Sequence, residues 1–232
     1  MNTKSWLLIC LLFVWSLAGL PGGAAAAEKP SGPAELVEKA RISYESMSQD
    51  QNFSWIEENW HKVQAVFIVP QFIKGAFIVG GAGGSGVLCV RDAESGTWSY
   101  PAFYTLGTAS VGLQIGGSVS EVVLMALSQK GVNAFYQSSF KLGAEASVAA
   151  GPLGAGLQGA TQQNLGADLI AFSRVKGAFI GLSLEGGVVK TRESWNTEYY
   201  NQAVQPYGIL AEQSVANPHA DPLRKSLAGT GP

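Results

Sequence analysis

Lys74-Gly75-Ala76-Phe77-Ile78 returns later in the chain as Lys176-Gly177-Ala178-Phe179-Ile180. Each copy is followed by a glycine-rich apolar stretch and then by charge: Arg91-Asp92 after the first, Lys190-Thr191-Arg192-Glu193 after the second. Both copies read as glycine-broken β-strands that end at a charged turn, so the chain is expected to hold two related ribbons in one β-rich domain. There are 29 glycines among 232 residues, well above the typical share of about 7%. That abundance favours strongly curved or barrel-like antiparallel sheets over long flat ones. The fold class is α+β, β-rich, with flanking N-terminal, mid-chain and C-terminal helices.

Working outward, Val66 to Val69 opens the β region before Pro70, and Phe77–Val79, Val87–Val90 and Trp98–Tyr104 follow as strands. Ala109 to Gly116 alternates, with Val111, Leu113 and Ile115 on one face and Gly112, Gln114 and Gly116 on the other. A glycine-lined face lets a sheet curve or another backbone come close. The second half repeats the theme in Phe140–Ala149, a turn at residues 151–154, Gly156–Thr161, Ala167–Arg174, Ala178–Leu184 and Gly187–Thr191. Helices are expected at four places. Pro33 suits a first turn, and Leu36, Val37, Ala40, Tyr44 and Met47 recur at helical spacing. Ser54-Trp55-Ile56-Glu57 fits a capping box. Val119 to Gln129 reads as a mid-chain helix ended by Gly131, and 194–216 as a helical segment interrupted by Pro206 and Gly208.

Residues 1–27 have the form of a secretory signal: Lys4, an apolar run from Trp6 to Leu20, then small residues to Ala27. The run is short for a membrane span of about 20 residues, an uncleaved anchor being the alternative. The expectation is an exported protein of the periplasm or cell envelope, with outer-membrane association as one form of it. Residues 28–216 then make a single domain and 217–232, rich in Pro, Gly and Ala, a flexible tail. Cys89 is left as the lone thiol of the mature chain, so no internal disulfide is expected, and its apolar neighbours imply an inert core cysteine.

The chain has 15 basic and 17 acidic residues, a formal net charge of −2, and no basic block. Nucleic-acid binding, which needs a concentrated positive face, is therefore not expected. Gly81-Ala82-Gly83-Gly84-Ser85-Gly86 satisfies G-x-G-x-x-G but runs into Val87-Leu88-Cys89-Val90, a strand, so it lacks the helix that would receive a dinucleotide. Val87 stands where a P-loop would need lysine. His61 and His219 are too few and too far apart for a metal cluster. Glu57 and Glu58 point to different faces of their helix, and no nucleophile elbow occurs. No cofactor, metal or catalytic set is expected, and the chain does not read as an enzyme.

Only seven of the 86 residues from Ser99 to Leu184 are charged, so this stretch is expected either to be buried or to face something apolar. Lys74, Arg174 and Lys176 precede or begin strand starts in charge-poor surroundings; they are candidates for a lipid phosphate, with hydrated strand-end gatekeepers as the alternative. Trp98, Phe103 and Tyr104, with Tyr100, form an aromatic cluster that fills a core on one face and can line a cavity or membrane rim on the other. Leu36, Val37 and Tyr44 on the first amphipathic helix are candidate membrane contacts, packing on the domain being the alternative.

Several blocks resemble the SYLF lipid-binding domain: Gly84-Ser85-Gly86-Val87-Leu88; Gly96-Thr97-Trp98-Ser99 with Pro101-Ala102; Ser110 to Gly116; Ser147 to Gly154; and Lys176 to Gly186. Their order and spacing agree from about Ala34 to Glu193. The resemblance implies a lipid-binding module, not an enzyme. Members in eukaryotes are associated with phosphoinositide membranes, partly through an N-terminal amphipathic helix, and some with actin; bacterial members are typically exported envelope proteins. The first helix here has Lys39 and Arg41 against Glu35, Glu38 and Glu45, so phosphoinositide selectivity is not expected; actin binding, a label of the family, is not carried over to this chain either. The expected partner is a phospholipid or membrane surface, with a protein partner in envelope assembly as the alternative.

Overall fold

The computed structural model describes residues 32–50, 54–76, 79–111, 116–151, 166–176, 178–180 and 182–230. Its nine strands are β1 (Ala65–Ala76), β2 (Val79–Val90), β3 (Ala102–Val111), β4 (Gly116–Ala126), β5 (Ser139–Lys141), β6 (Val148–Ala150), β7 (Leu169–Val175), β8 (Ala178–Ile180) and β9 (Val188–Thr191). They form one curled sheet in the order β5-β9-β3-β2-β1-β4-β7-β6, with β8 paired to β7. All pairs are antiparallel except β6 with β7. The α+β, β-rich reading therefore holds, with one parallel pair that the sequence did not announce.

The lower half of the sheet is the core. Ala65 to Val69 on β1 and Val122 to Ala126 on β4 are buried at every position, on both faces. Such strands read as continuous apolar runs and not as alternation. Pro70 then breaks the ladder. Having no N–H, it cannot donate to a neighbouring strand, and the register of β1 shifts between Ile68 and Ile73 against β2 and between Val69 and Phe72 against β4. Opposite this bulge lie Gly84 and Gly86. A Cβ on Gly84 would sit 2.3 Å from the Gln71 carbonyl oxygen, and one on Gly86 2.4 Å from that of Ile68. Only glycine fits there, and the bulge turns the upper half of the sheet away from the core.

The helices close the molecule. Helix α1 (Pro33–Ser48) lies across β1 and β2 and also meets the C-terminal helices. Next come α2 (Ser54–Asn59), α3 (Gln129–Phe135), α4 (Glu193–Tyr200), α5 (Pro206–Leu210) and α6 (Asp221–Ala228). Ser128 caps α3, its Oγ accepting from the Gly131 N–H at 3.1 Å. Phe135 of α3 meets Phe67, Tyr104 and Phe140 edge to face. The Tyr104 hydroxyl, whose pKa burial pushes up, donates to the Phe135 carbonyl at 2.6 Å. Asp168 ties the base of the fold together, accepting from Ser128 Oγ at 2.6 Å and from both Ser147 N and Ser147 Oγ at 2.9 Å.

Several local expectations are corrected. Val119 to Ala126 is strand β4, not the mid-chain helix; a central strand buried on both faces has no polar alternation to betray it, and the helix follows at Gln129–Phe135. Residues 194–216 hold two short helices. The supposed loose tail is folded: a 3-10 turn at Pro218–Ala220 leads into α6, whose Leu223 and Leu227 are fully buried. Tyr44 of α1 reaches it, donating to Thr230 Oγ1 at 2.8 Å. The two copies of the opening repeat do not occupy equivalent places either: Lys74 to Ala76 continues β1, whereas Lys176 forms the turn between β7 and β8 with φ +48°. The 1–27 leader, the Ser54 cap, Leu113 and Ile115, the turn at 152–154 and the Gly156–Thr161 strand lie outside the described residues or side chains.

Candidate functional site

Most sequence-nominated contacts are internal. Leu36, Val37 and Tyr44 are the buried stripe of α1. Its polar face is an ion-pair ladder, Lys39 to Glu35 at 2.8 Å and Arg41 to both Glu38 and Glu45. Trp98 packs on Trp60 with ring centroids 5.5 Å apart, and Phe103 meets Trp195 and Tyr199. With Tyr104 these rings are core; neither they nor the α1 residues offer a lipid-facing surface. Arg174 is also internal: its Nε donates to Glu121 Oε2 at 2.6 Å, and its Nη atoms to the carbonyl and Oγ of Ser46 at 2.9 and 3.0 Å. It is a clamp between β4, β7 and α1, not a free phosphate ligand. The thiol of Cys89 is buried and pushed up to about 12 by that burial, so it is inert. Gly81 to Gly86 lies within strand β2, which removes the dinucleotide-turn reading.

Lys74 and Lys176 are different. Both are exposed, and among the described residues neither has a carboxylate within ion-pair reach. Lys176 lies two residues beyond Arg174, which pairs with Glu121 on β4. Lys74 pairs with Ser118, near the start of the same β4 strand. The two cations thus share the upper end of the sheet. Beside Lys74, Ile73 on β1 lies directly across from Val119 on β4, and these side chains are 58% and 54% exposed. The sequence reading missed both. The Pro70 bulge shifts the alternation that would have marked Ile73 as outward, and Val119 was assigned to a helix. The strand segments around them, residues 72–84 and 105–120, contain no Asp or Glu.

Two open clefts flank this arrangement. One, of about 600 Å³, lies toward the opposite end of β2 and is lined by His61, Arg91, Asp92 and Tyr136 among others. The other, of about 370 Å³, runs between the start of α1 and the upper sheet, with Leu36, Ile73, Gly83 and Trp195 in its lining. Neither is an enclosed apolar chamber.

Residues 107–230, just over half of the chain, match the family described as "Ysc84: Las17-binding protein actin regulator". The chain belongs to the Ysc84 family. The SYLF resemblance read from the sequence is borne out by this match, which runs through α6 and so includes the segment first taken for a tail. Among curated relatives, Protein YSC84 of Saccharomyces cerevisiae is 32% identical over 158 residues, 67% of this chain and 34% of that protein. The SH3 domain-containing protein PJ696.02 of Schizosaccharomyces pombe is 33% identical over 163 residues, 69% and 38% respectively. The human SH3 domain-containing YSC84-like protein 1 is 32% identical over 156 residues, 67% and 45%. The chain thus matches less than half the length of each of these relatives. The family is one of binding and regulatory proteins. Setting actin aside was a mistake of the sequence reading: the family's description names actin regulation, and the relatives' names point to protein partners.

Proposed function

We propose that this domain is a non-catalytic docking module that binds an anionic lipid surface with the upper end of its sheet, and does not enclose a lipid. One observation carries the reading: two large apolar side chains, Ile73 and Val119, stand exposed beside Lys74 and Lys176, cations with no ion-pair partner among the described residues, where the strand segments 72–84 and 105–120 contain no Asp or Glu. The lower sheet is filled with side chains, so burial of an acyl chain inside it has no support. Each lysine near an anionic membrane contributes about 1 kcal/mol, and apolar contact adds about 0.8 kcal/mol per buried methylene. The apolar run from Trp6 to Leu20 supports export, and with it a place in the cell envelope.

The test is flotation of the full chain with vesicles of phosphatidylcholine alone or mixed with phosphatidylserine. Wild type is expected to rise with the anionic vesicles, and K74E/K176E to lose at least tenfold in apparent affinity, on the order of 1 kcal/mol per lysine. Wild type remaining at the bottom with both compositions refutes the reading. A second reading rests on the relatives' names, which speak of Las17 binding and of a family of actin regulators. The human and fission-yeast names also mention an SH3 domain, so the whole-protein partner need not be engaged by the matched region. Co-sedimentation of the domain with actin filaments, without any vesicle binding, would favour that second reading.

A further inference from the structure

The upper sheet presents two cross-strand rows on one face. Gly107, Gly83, Ile73 and Val119 are directly paired across β3, β2, β1 and β4, and Ala109, Gly81, Gly75 and Gly117 form the next row. Residues two apart on a strand share a face, so these eight positions make one surface of roughly 19 by 14 Å at the usual strand spacing and rise. Five are glycine, none is polar, and all are exposed or half-exposed. On the reverse face the intervening row is Thr108, Ala82, Lys74 and Ser118.

These glycines differ from Gly84 and Gly86. A Cβ on Gly75 or Gly107 would meet nothing within 4 Å, and on Gly81, Gly83 or Gly117 only ordinary contacts at 3.4 to 3.6 Å. None has the positive φ that restricts a position to glycine. Among the described residues nothing therefore calls for them, although glycine weakens a strand. Their effect is on the surface: they leave a flat, side-chain-poor apolar face with Thr108, Lys74 and Ser118 on its back.

We infer that this four-stranded blade is an amphipathic sheet that lies in the plane of the membrane interface, its glycine face toward the acyl boundary and Lys74, on its reverse face, toward the headgroups. The inference rests on the docking function proposed above and names its contact. Charge selects the occupant: the blade's own segments 72–84 and 105–120 contain no Asp or Glu, Lys74 has no ion-pair partner among the described residues, and the carboxylate at the rim, Glu35, is held by Lys39 at 2.8 Å, so the blade complements an anionic surface. Hydrogen bonding allows an in-plane position at the interface, where water remains: at this level β1 and β2 are paired on both sides, while the outer edges of β3 from Thr108 and of β4 up to Ser120 have no further strand among the described residues and keep interfacial water. Area argues against a second copy. The face offers roughly 260 Å² per molecule by the spacing above, far short of the about 800 Å² per partner of a stable interface, whereas an in-plane element sinks about 5–10 Å into the headgroup boundary with no such threshold.

The test compares wild type, I73D/V119D and G75V/G117V by flotation with anionic vesicles, after thermal melts establish that each variant folds. The aspartates are expected to cut binding by more than tenfold. The valines enlarge the apolar face and are expected to tighten binding several-fold. Undiminished flotation of I73D/V119D, with wild type floating, overturns the glycine-face contact and leaves lipid docking by another surface. Weaker binding of G75V/G117V would mean that the face meets a closely approaching solid partner, and also overturns it. A concentration-dependent dimer in light scattering that I73D abolishes assigns the face to a second copy. Wild type failing to float at all removes the docking function itself, and this inference with it.

Discussion

Replacing Gly75 and Gly84 separately by alanine should move stability in opposite directions. At Gly84 the new methyl would lie 2.3 Å from the Gln71 carbonyl oxygen, 2.6 Å from Val69 Cγ1 and 3.1 Å from the Gln71 carbonyl carbon. Two of those atoms are backbone of the Pro70 bulge and the third belongs to buried Val69, so relief requires moving β1 against β2 at the upper border of the filled part of the sheet. Overpacking of this kind costs about 1–3 kcal/mol. At Gly75 nothing lies within 4 Å of the added carbon, and the unfolded chain loses freedom, a gain of about 0.4–1 kcal/mol. For a chain of this size 1 kcal/mol corresponds to about 2–4 °C. G84A should therefore melt several degrees below wild type and G75A about 1–3 °C above it, read by circular dichroism and cross-checked by urea midpoints at constant slope. Equal destabilisation by both substitutions would show that the upper glycines serve the fold after all, and would remove the reason for assigning them to an external contact.

Three further outcomes follow from the interior. Hydrogen bonds from Ser128 and Ser147, with Lys130 nearby, outweigh the burial of Asp168 and bring its carboxyl down to about 2. A depressed carboxylate stabilises the fold above its unfolded value and loses that contribution as pH falls through the folded one. Wild type should thus lose on the order of 1–2 kcal/mol between about pH 4 and pH 2, and D168N should be weaker at pH 7 and flatter across that window in urea titrations. L227A, at a fully buried position of α6, should cost about 2–5 kcal/mol; a loss under 1 kcal/mol would return this segment to the loose tail first read from the sequence. R174A should lower stability by about 3–5 kcal/mol, because it leaves Glu121 without its partner, yet leave vesicle affinity per folded molecule unchanged. A selective loss of vesicle binding would restore Arg174 as a lipid ligand.

The fold class was legible because glycine and β-branched residues punctuate the chain so regularly, and the family because whole blocks such as Lys176 to Gly186 keep their order. Finer assignments failed for physical reasons. β4 lacks alternation since both its faces are covered, so Val122 to Ala126 looks as helical as it looks extended. The amphipathic stripe of α1 is identical whether it meets a membrane or a sheet, and only the structure shows Leu36 and Val37 pressed on the core. The candidate site was half legible: Lys74 and Lys176 stand out as cations in charge-poor sequence, and Arg174 looks the same in one dimension although Glu121 and Ser46 bind it. Ile73 was hidden by the phase shift at Pro70. The division of the glycines into required and unrequired ones depends on neighbours far away in the chain, and no local pattern contains it.

The most direct measurement uses a polarity-sensitive fluorophore on V119C, in a chain whose Cys10 is replaced by serine. Cys89 is buried and stays unlabelled, and reading a single position separates the blade from anything the apolar Trp6–Leu20 run contributes. Addition of anionic vesicles should shift the emission to the blue and shield the probe from aqueous quenchers, while neutral vesicles do so weakly. An unchanged spectrum and full quencher access, with the protein demonstrably bound to the same vesicles, would contradict the account.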